Sequence, residues 1–310
     1  MLFRSVPTSR SFSLIETGEA LERGDEPSPT RSAVLVRLSH SHIRIGTFQR
    51  LAFHRDEDGL RALTGYVLRN LYGEDGDDPV RLLDLVVQRT ALLTARYMAA
   101  GFVHGVLNTD NINVTGESFD YGPWRFAPTW DSSIVAAYFD HAGLYAFGRQ
   151  PEAIHWNAMQ LAVSLRQISD AEPLIAVLDR FPDHYQDAVT AAILWRLGRA
   201  PRDPEHDRAL VQTAERALRS TGVPLERFFF DVFARDVPTD YGAEWNEVRA
   251  ALTSYAPRRP RDHAFWSGEP CAMLIDEVEA IWSAIDREDD WTPFQQKLRA
   301  IRQMGQALAD

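Results

Sequence analysis

Residues 104–111 read His-Gly-Val-Leu-Asn-Thr-Asp-Asn, and Asp120-Tyr121-Gly122 follows after a short apolar step. Asn111 and the carboxylate of Asp120 supply hard oxygen donors that suit a magnesium ion, and Asp110 stands directly before Asn111. Asp110 can also take a proton from an attacking hydroxyl. Each piece alone is ordinary turn material: Asn-Thr-Asp-Asn is cap and turn chemistry, and Asp-Tyr-Gly-Pro suits a β-turn. Taken together, with Ile112 and Val114 between them predicting a short strand and His104 in register, they read better as a site.

The spacing is close to that of a protein-kinase catalytic loop, where His, an Asp two places on and an Asn seven places on precede a D-F-G triplet. In that pattern the first Asp accepts the proton of the attacking hydroxyl, and Asn and the D-F-G Asp hold magnesium against nucleotide phosphates. Here Val106 stands at the base position. Valine cannot take a proton, and losing a positioned base costs roughly 100- to 10,000-fold in rate. Asp110 is the nearest substitute, so ordinary phosphoryl transfer is not the obvious use of the set. A His-Gly-Asp type of small-molecule kinase shares the His104-Gly105 opening but needs Asp where Val106 stands.

Composition bounds the rest. The 310 residues are 45% hydrophobic and 25% charged, which is ordinary for a globular chain with one large core or two lobes. A formal net charge of −11 argues against nucleic acid as a partner, since phosphate backbones need clustered cations. No apolar run is long enough to span a bilayer and no signal-peptide layout opens the chain, so no membrane is expected and a cytoplasmic location is. The one cysteine, Cys271, forms no internal disulfide and reads as a small buried hydrophobe. Lys297 is the only lysine, and G-x-G-x-x-G is absent. A kinase-type strand lysine for the α- and β-phosphates is therefore missing from the N-terminal half.

The elements that must position the site follow from periodicity. Alternating β-branched and apolar residues predict antiparallel strands at 11–16 and 33–38, with a Gly-, Pro- and charge-rich loop at 22–32. His40 and His42 sit at alternate positions, but no third ligand has a convincing spacing, so structural histidines are expected. Beyond His54 the period changes to 3.6: Leu60, Leu63, Val67, Leu68 and Leu71 share a helix face that the acidic run 73–79 ends. A longer helix with Leu82, Leu83, Val86, Val87, Leu92, Leu93, Tyr97 and Met98 is apolar around its barrel and should be central and buried. Gly101 ends it and delivers the chain into the His104 loop. Residues 130–147 read as irregular. Gln150-Pro151-Glu152 then opens a helix with Trp156, Met159, Leu161 and Leu165 for packing, and further helices follow at about 171–180, 184–197, 205–220, 225–233, 242–254, 273–287 and 293–309. Residues 257–261, Pro-Arg-Arg-Pro-Arg, read as a solvated surface loop.

On these motifs the chain resembles the selenoprotein O (SelO/YdiU) family of kinase-like protein adenylyltransferases. The resemblance rests on Arg37 and Arg44 in Arg-Leu-Ser-His-Ser-His-Ile-Arg-Ile-Gly-Thr-Phe, on residues 104–111 and on Asp120-Tyr121-Gly122-Pro123. It also rests on Tyr145-Ala146-Phe147, Gln150-Pro151 and Trp156-Asn157, and it extends from Val6 to about Leu165. It implies an α+β, protein-kinase-like (pseudokinase) fold, with a partial strand-rich N-lobe at 1–53 and a predominantly α-helical C-lobe at 54–310 carrying the site. It further implies that ATP binds in a flipped orientation, so that AMP passes to Ser, Thr or Tyr hydroxyls of protein substrates. In that reading Asp110 is the proton acceptor, Asn111 and Asp120 bind Mg2+, and Arg37, Arg44 and Asp120 contact the nucleotide. Two arginines on one segment suit phosphate, because guanidinium forks match its oxygens.

The chain departs from the family pattern as well. The glycine-rich nucleotide loop, the phosphate-binding lysine and its helix glutamate have no counterpart, which predicts an N-terminally truncated chain whose upstream reading frame encodes them. The alternative expectation is a catalytically inactive remnant with a nucleotide-binding or regulatory role. An uncovered sheet edge would favour self-association. The family's C-terminal cysteine or selenocysteine motif is missing, and Ala136 stands near the usual activation-segment cysteine, so redox regulation is not expected.

Overall fold

The computed structural model describes Met1, residues 4–22, Gly24 and residues 28–309; part of the loop expected at 22–32 lies outside these. The architecture is α+β, with two small antiparallel sheets and a helical majority. No helix among the described residues is long and apolar enough to cross a membrane.

The strands run longer than their alternation predicts. β1 (Arg10–Leu21) pairs with β2 (Thr30–Leu38), Arg10 opposite Leu38 and Leu21 opposite Thr30, with irregularities between Ser11 and Ser13 and between Glu16 and Ala20. Successive strand residues point to opposite faces, yet Leu14 and Ile15 are 55% and 60% exposed. Among the described residues, none covers either face along the middle of this ribbon. Its two ends are tied down. Arg37 bonds the Phe119 carbonyl and lies over the Tyr121 ring. Arg31 pairs with Glu16 and Asp289 and donates to the Ile285 carbonyl.

A helix forms between the predicted strands and the helix predicted beyond His54, where the periodicity predicts none. α1 (Ile45–Phe53) begins at Arg44, whose N–H donates to the Thr47 hydroxyl at 3.3 Å, and it buries Ile45 and Phe48. α2 (Glu57–Val67) is capped by Asp56 and runs into a wider turn, Leu68–Tyr72, that Gly73 ends at φ 71°. α3 (Pro79–Ala100) starts at Asp78, whose carboxylate accepts from the Val80 N–H. It buries thirteen of its 22 residues, too many for a single stripe, which makes it the axis of the molecule. Thr90 and Thr94 are completely buried there, their hydroxyls satisfied by the Val86 and Thr90 carbonyls.

Gly101, at φ 67°, turns α3 into β3 (Phe102–Val103), which pairs with β4 (Arg125–Phe126). This two-residue ladder closes the base of a loop, residues 104–124, that holds every acidic and amide candidate of the site. No strand forms at Ile112 and Val114. Asn113 makes only an isolated bridge to Arg44, with Ile45 N donating to Ile112 O and Val114 N to Ile43 O at 3.0 Å each. Two bonds suffice to dock the loop on the start of α1, and the chain turns at Thr115 and Gly116 before a ladder can extend.

α4 (Gln150–Leu165) and α5 (Ala171–Leu178) complete one core with α1, α2 and one side of α3; α6 (Phe181–Arg196), α7 (Pro204–Thr221), α8 (Leu225–Val232) and α9 (Asn246–Leu252) build a second on its other side. Leu161 and Leu165 are buried as expected, but Trp156 and Met159 face outward. α10 (Ile275–Glu288) and α11 (Thr292–Leu308) follow, joined by Lys297 and Glu277. Cys271 is buried.

Arginine serves as mortar between these layers. Arg4 donates to the Ala100 and Cys271 carbonyls and pairs with Glu226, which Arg196 also holds at 3.0 Å. Burial alone would raise the Glu226 carboxyl; Arg196 and Arg4 outweigh it and hold it below its ordinary value. The 257–261 loop is not the solvated patch its composition predicts. Arg258 stacks on Trp195 and bonds the Leu308 carbonyl. Arg261 lies over Trp266 and caps carbonyls at the end of α8, and burial pushes it down to about 10. Guanidinium planes cover aromatic faces while their edges satisfy helix ends.

Candidate functional site

The loop is organised by His104, which is completely buried. Its Nε2–H donates to the Asp120 carbonyl at 2.9 Å, and its Nδ1 accepts from the Val106 N–H at 3.3 Å. These partners fix one neutral tautomer. Burial lowers the imidazole below its ordinary value, and the Asp120 carboxylate, 3.5 Å from Nε2, offsets this only in part. Asn111 Nδ2 donates to the Val106 carbonyl at 2.9 Å. Asp120, His104, Val106 and Asn111 thus form one hydrogen-bonded chain, which joins the two halves of the motif.

Gly122 is required for that chain. It sits at φ 55° against His104, and a Cβ there would come within 2.9 Å of Nδ1. Its N–H donates to Asp120 Oδ1 at 2.9 Å, fixing the carboxylate. Asp120 Oδ2 and Asn111 Oδ1 have no protein partner among the described residues.

Asp110 is 66% exposed on its side chain and lies 4.0 Å from Arg44 Nη1, which also donates to the Asp110 carbonyl. Its backbone is set by an N–H bond to Asn108 Oδ1 and by Gly46 N donating to Thr109 O. A Cβ on Gly46 would overlap Asp110 Oδ1 where that carboxylate now sits. Arg37 reaches the loop from the ribbon, bonding the Phe119 carbonyl and lying over the Tyr121 ring, the two residues that flank Asp120 in sequence. Among the described residues Arg44 pairs with a predicted carboxylate, Asp110, whereas Arg37 is held by the Phe119 carbonyl and the Tyr121 ring.

The donor set suits magnesium. An amide oxygen and a carboxylate are two hard ligands, and magnesium takes its remaining positions from water and substrate phosphates rather than from a protein cage. Among the described residues no group of three or more His, Cys, Asp or Glu side chains forms such a cage. His40 and His42 have structural partners instead, His40 bonding Glu117 and His42 packing edge-on to Phe119.

Two residues to which the sequence assigned no site role turn out to hold the loop. Gln150 and Asn157 lie seven apart on α4 and therefore on one face. Gln150, fully buried, accepts from His104 N–H and donates to the Phe102 carbonyl. Asn157 donates to the Leu107 carbonyl at 2.7 Å. Buried amides at helical spacing are the signal that marks them. Gly46, Gln49 and Thr109, the last two bonded to each other, carried no signal in isolation.

The sequence profile described as "Protein adenylyltransferase SelO" matches residues 2–254. The chain is 36% identical to the "Protein nucleotidyltransferase YdiU" of Synechocystis sp., over 96% of this chain and 69% of that protein. For the proteins of the same name from Gloeobacter violaceus and Rhodopseudomonas palustris the identities are 40% and 41%, again over 96% of this chain, with 66% and 64% of the relatives covered. It spans about two thirds of the length of these relatives. The chain belongs to the SelO family of protein adenylyltransferases.

Proposed function

We propose that this chain transfers AMP from ATP to a Ser, Thr or Tyr hydroxyl of another protein, within a kinase-like arrangement in which residues 1–53 face the helical part at 54–310. The observation that carries this reading is the exposed Asp110 carboxylate beside Arg44, on a loop whose hydrogen bonds also hold Asn111 and Asp120. Asp110 takes the proton of the acceptor hydroxyl. The hydroxyl oxygen forms a bond to the α-phosphorus of ATP, the bond from that phosphorus to the bridging oxygen breaks, and pyrophosphate leaves. Arg44 and Arg37 supply guanidinium groups for the phosphates. Asn111 and Asp120 would hold Mg2+, which neutralises phosphate charge when bound.

Incubation with ATP labelled in the α-phosphate tests this reading. Label on protein hydroxyls, lost in Asp110→Asn and in Asp120→Ala, is the expected result; label arriving only from the γ-phosphate would replace it with phosphotransfer. A second reading, nucleotide binding without transfer, draws on Lys297. The single lysine pairs with Glu277 on α10 and is committed there. Calorimetric ATP binding that Asp120→Ala abolishes, with no label transferred, would select it.

A further inference from the structure

Beside the loop lies a cavity of about 280 Å3 walled by Leu107, Leu144, Tyr145, Ala153 and Trp156. Nothing in the proposed transfer step uses it. Trp156 and Leu144 are each 48% exposed, although their neighbours along the chain are firmly placed. The N–H groups of Leu144 and Tyr145 both donate to the Asp140 carboxylate at 2.8 Å. The Leu107 carbonyl is fixed by Asn157, the residue after Trp156. The cavity is therefore pre-formed, and Leu107 in its wall lies on the loop that carries Asp110 three residues further on.

Its chemistry excludes several occupants. Arg149 and Glu152 at the rim pair with each other through two hydrogen bonds, so the opening offers no net charge to a phosphate. The volume falls just below the roughly 300–1,000 Å3 of sites that enclose a whole small molecule. A single anchoring side chain in an apolar pocket is the match to that size. Apolar surface also continues along α4, where Met159 and Val163 are 40% and 61% exposed and share a face with Trp156.

We propose that this cavity receives an aromatic or branched aliphatic side chain of the polypeptide acceptor, close in sequence to the hydroxyl that Asp110 deprotonates. This rests on the transfer reading above, and it names Trp156 as a specificity determinant. The pocket selects the acceptor segment, and the loop acts on its hydroxyl.

Synthetic peptides with one serine in a Gly/Ala host, and one Phe scanned through the flanking positions, provide the test. Binding is measured by calorimetry and AMP transfer separately. At one offset Phe should bind about tenfold tighter than Gly, the gain expected from burying one such side chain. Trp156→Ala should erase that preference while leaving ATP affinity unchanged, and the melting temperature of this surface variant shows whether its fold is retained. Tyr138→Ala, outside the pocket, should leave the preference intact. Equal affinity for the Phe and Gly peptides, or a preference that survives in Trp156→Ala, overturns the pocket. AMP transfer without a Phe preference would keep the transfer reading and discard the pocket. A Trp156-dependent preference without AMP transfer would do the reverse.

Discussion

At the scale of single residues, the site depends on what is absent as much as on what is present. Gly46 lies on α1, far in sequence from Asp110, and leaves the space in which that carboxylate sits. A methyl group there meets the end of an exposed side chain, not packed backbone, so the fold should tolerate it while Asp110 swings away. Gly46→Ala is therefore expected to melt within a few degrees of the parent. Its AMP transfer should fall by about 100-fold or more, the range for losing a positioned base. Transfer at the parental rate would show that Asp110 does not need its present place. That Asp110, Asn111 and Asp120 share one loop was legible because they are close together in sequence. Gly46 was not, because the fold brings it to Asp110 from a segment with no chemistry of its own.

At the scale of elements, helices were legible and their contacts were not. α3 announces itself by apolar residues all round and by Asp78 and Gly101 at its ends. α1 is short, opens with Ile-Gly-Thr, and has an arginine where a Ser or Asp cap would signal a start. The strand predicted at Ile112 and Val114 failed because its partner segment becomes α1 after one bridge. The arginines of residues 257–261 were misread because composition cannot show that aromatic faces wait beneath them. α4 is the element that converts fold into site, through Gln150 and Asn157. Gln150→Ala would leave the His104 N–H and Phe102 carbonyl buried and unpaired, at about 1–3 kcal/mol for each group. Thermal melting should register that loss, and Gln150→Glu should recover only the acceptor half. An unchanged melting temperature in Gln150→Ala would mean that other groups hold β3.

At the scale of the molecule, two features oppose each other. The Arg4, Glu226 and Arg196 cluster binds the N-terminal segment to α6 and α8. Because Glu226 is held below its ordinary value of 4.5, its contribution is complete above that pH and is lost as pH falls through the lower folded-state value. Glu226→Gln should cost about 3 kcal/mol at neutral pH, since it strands two buried cations, and should flatten acid unfolding in that window. A parental acid midpoint would remove Glu226 from the account. The ribbon pulls the other way. Phe12, Leu14, Ile15, Val34, Leu35, Val36 and Leu38 are each at least 40% exposed, and no other strand among the described residues pairs with either edge. A two-stranded ribbon is marginal in water unless something packs on it, and open edges pair with other chains. The isolated chain is therefore expected to self-associate at micromolar concentration. Leu14→Lys with Ile15→Lys places charge on opposite faces of β1 and should shift light scattering toward the monomer, with the helical cores melting as before. A parental chain that is monomeric, and no smaller after the two substitutions, would show that the ribbon stands alone in solution.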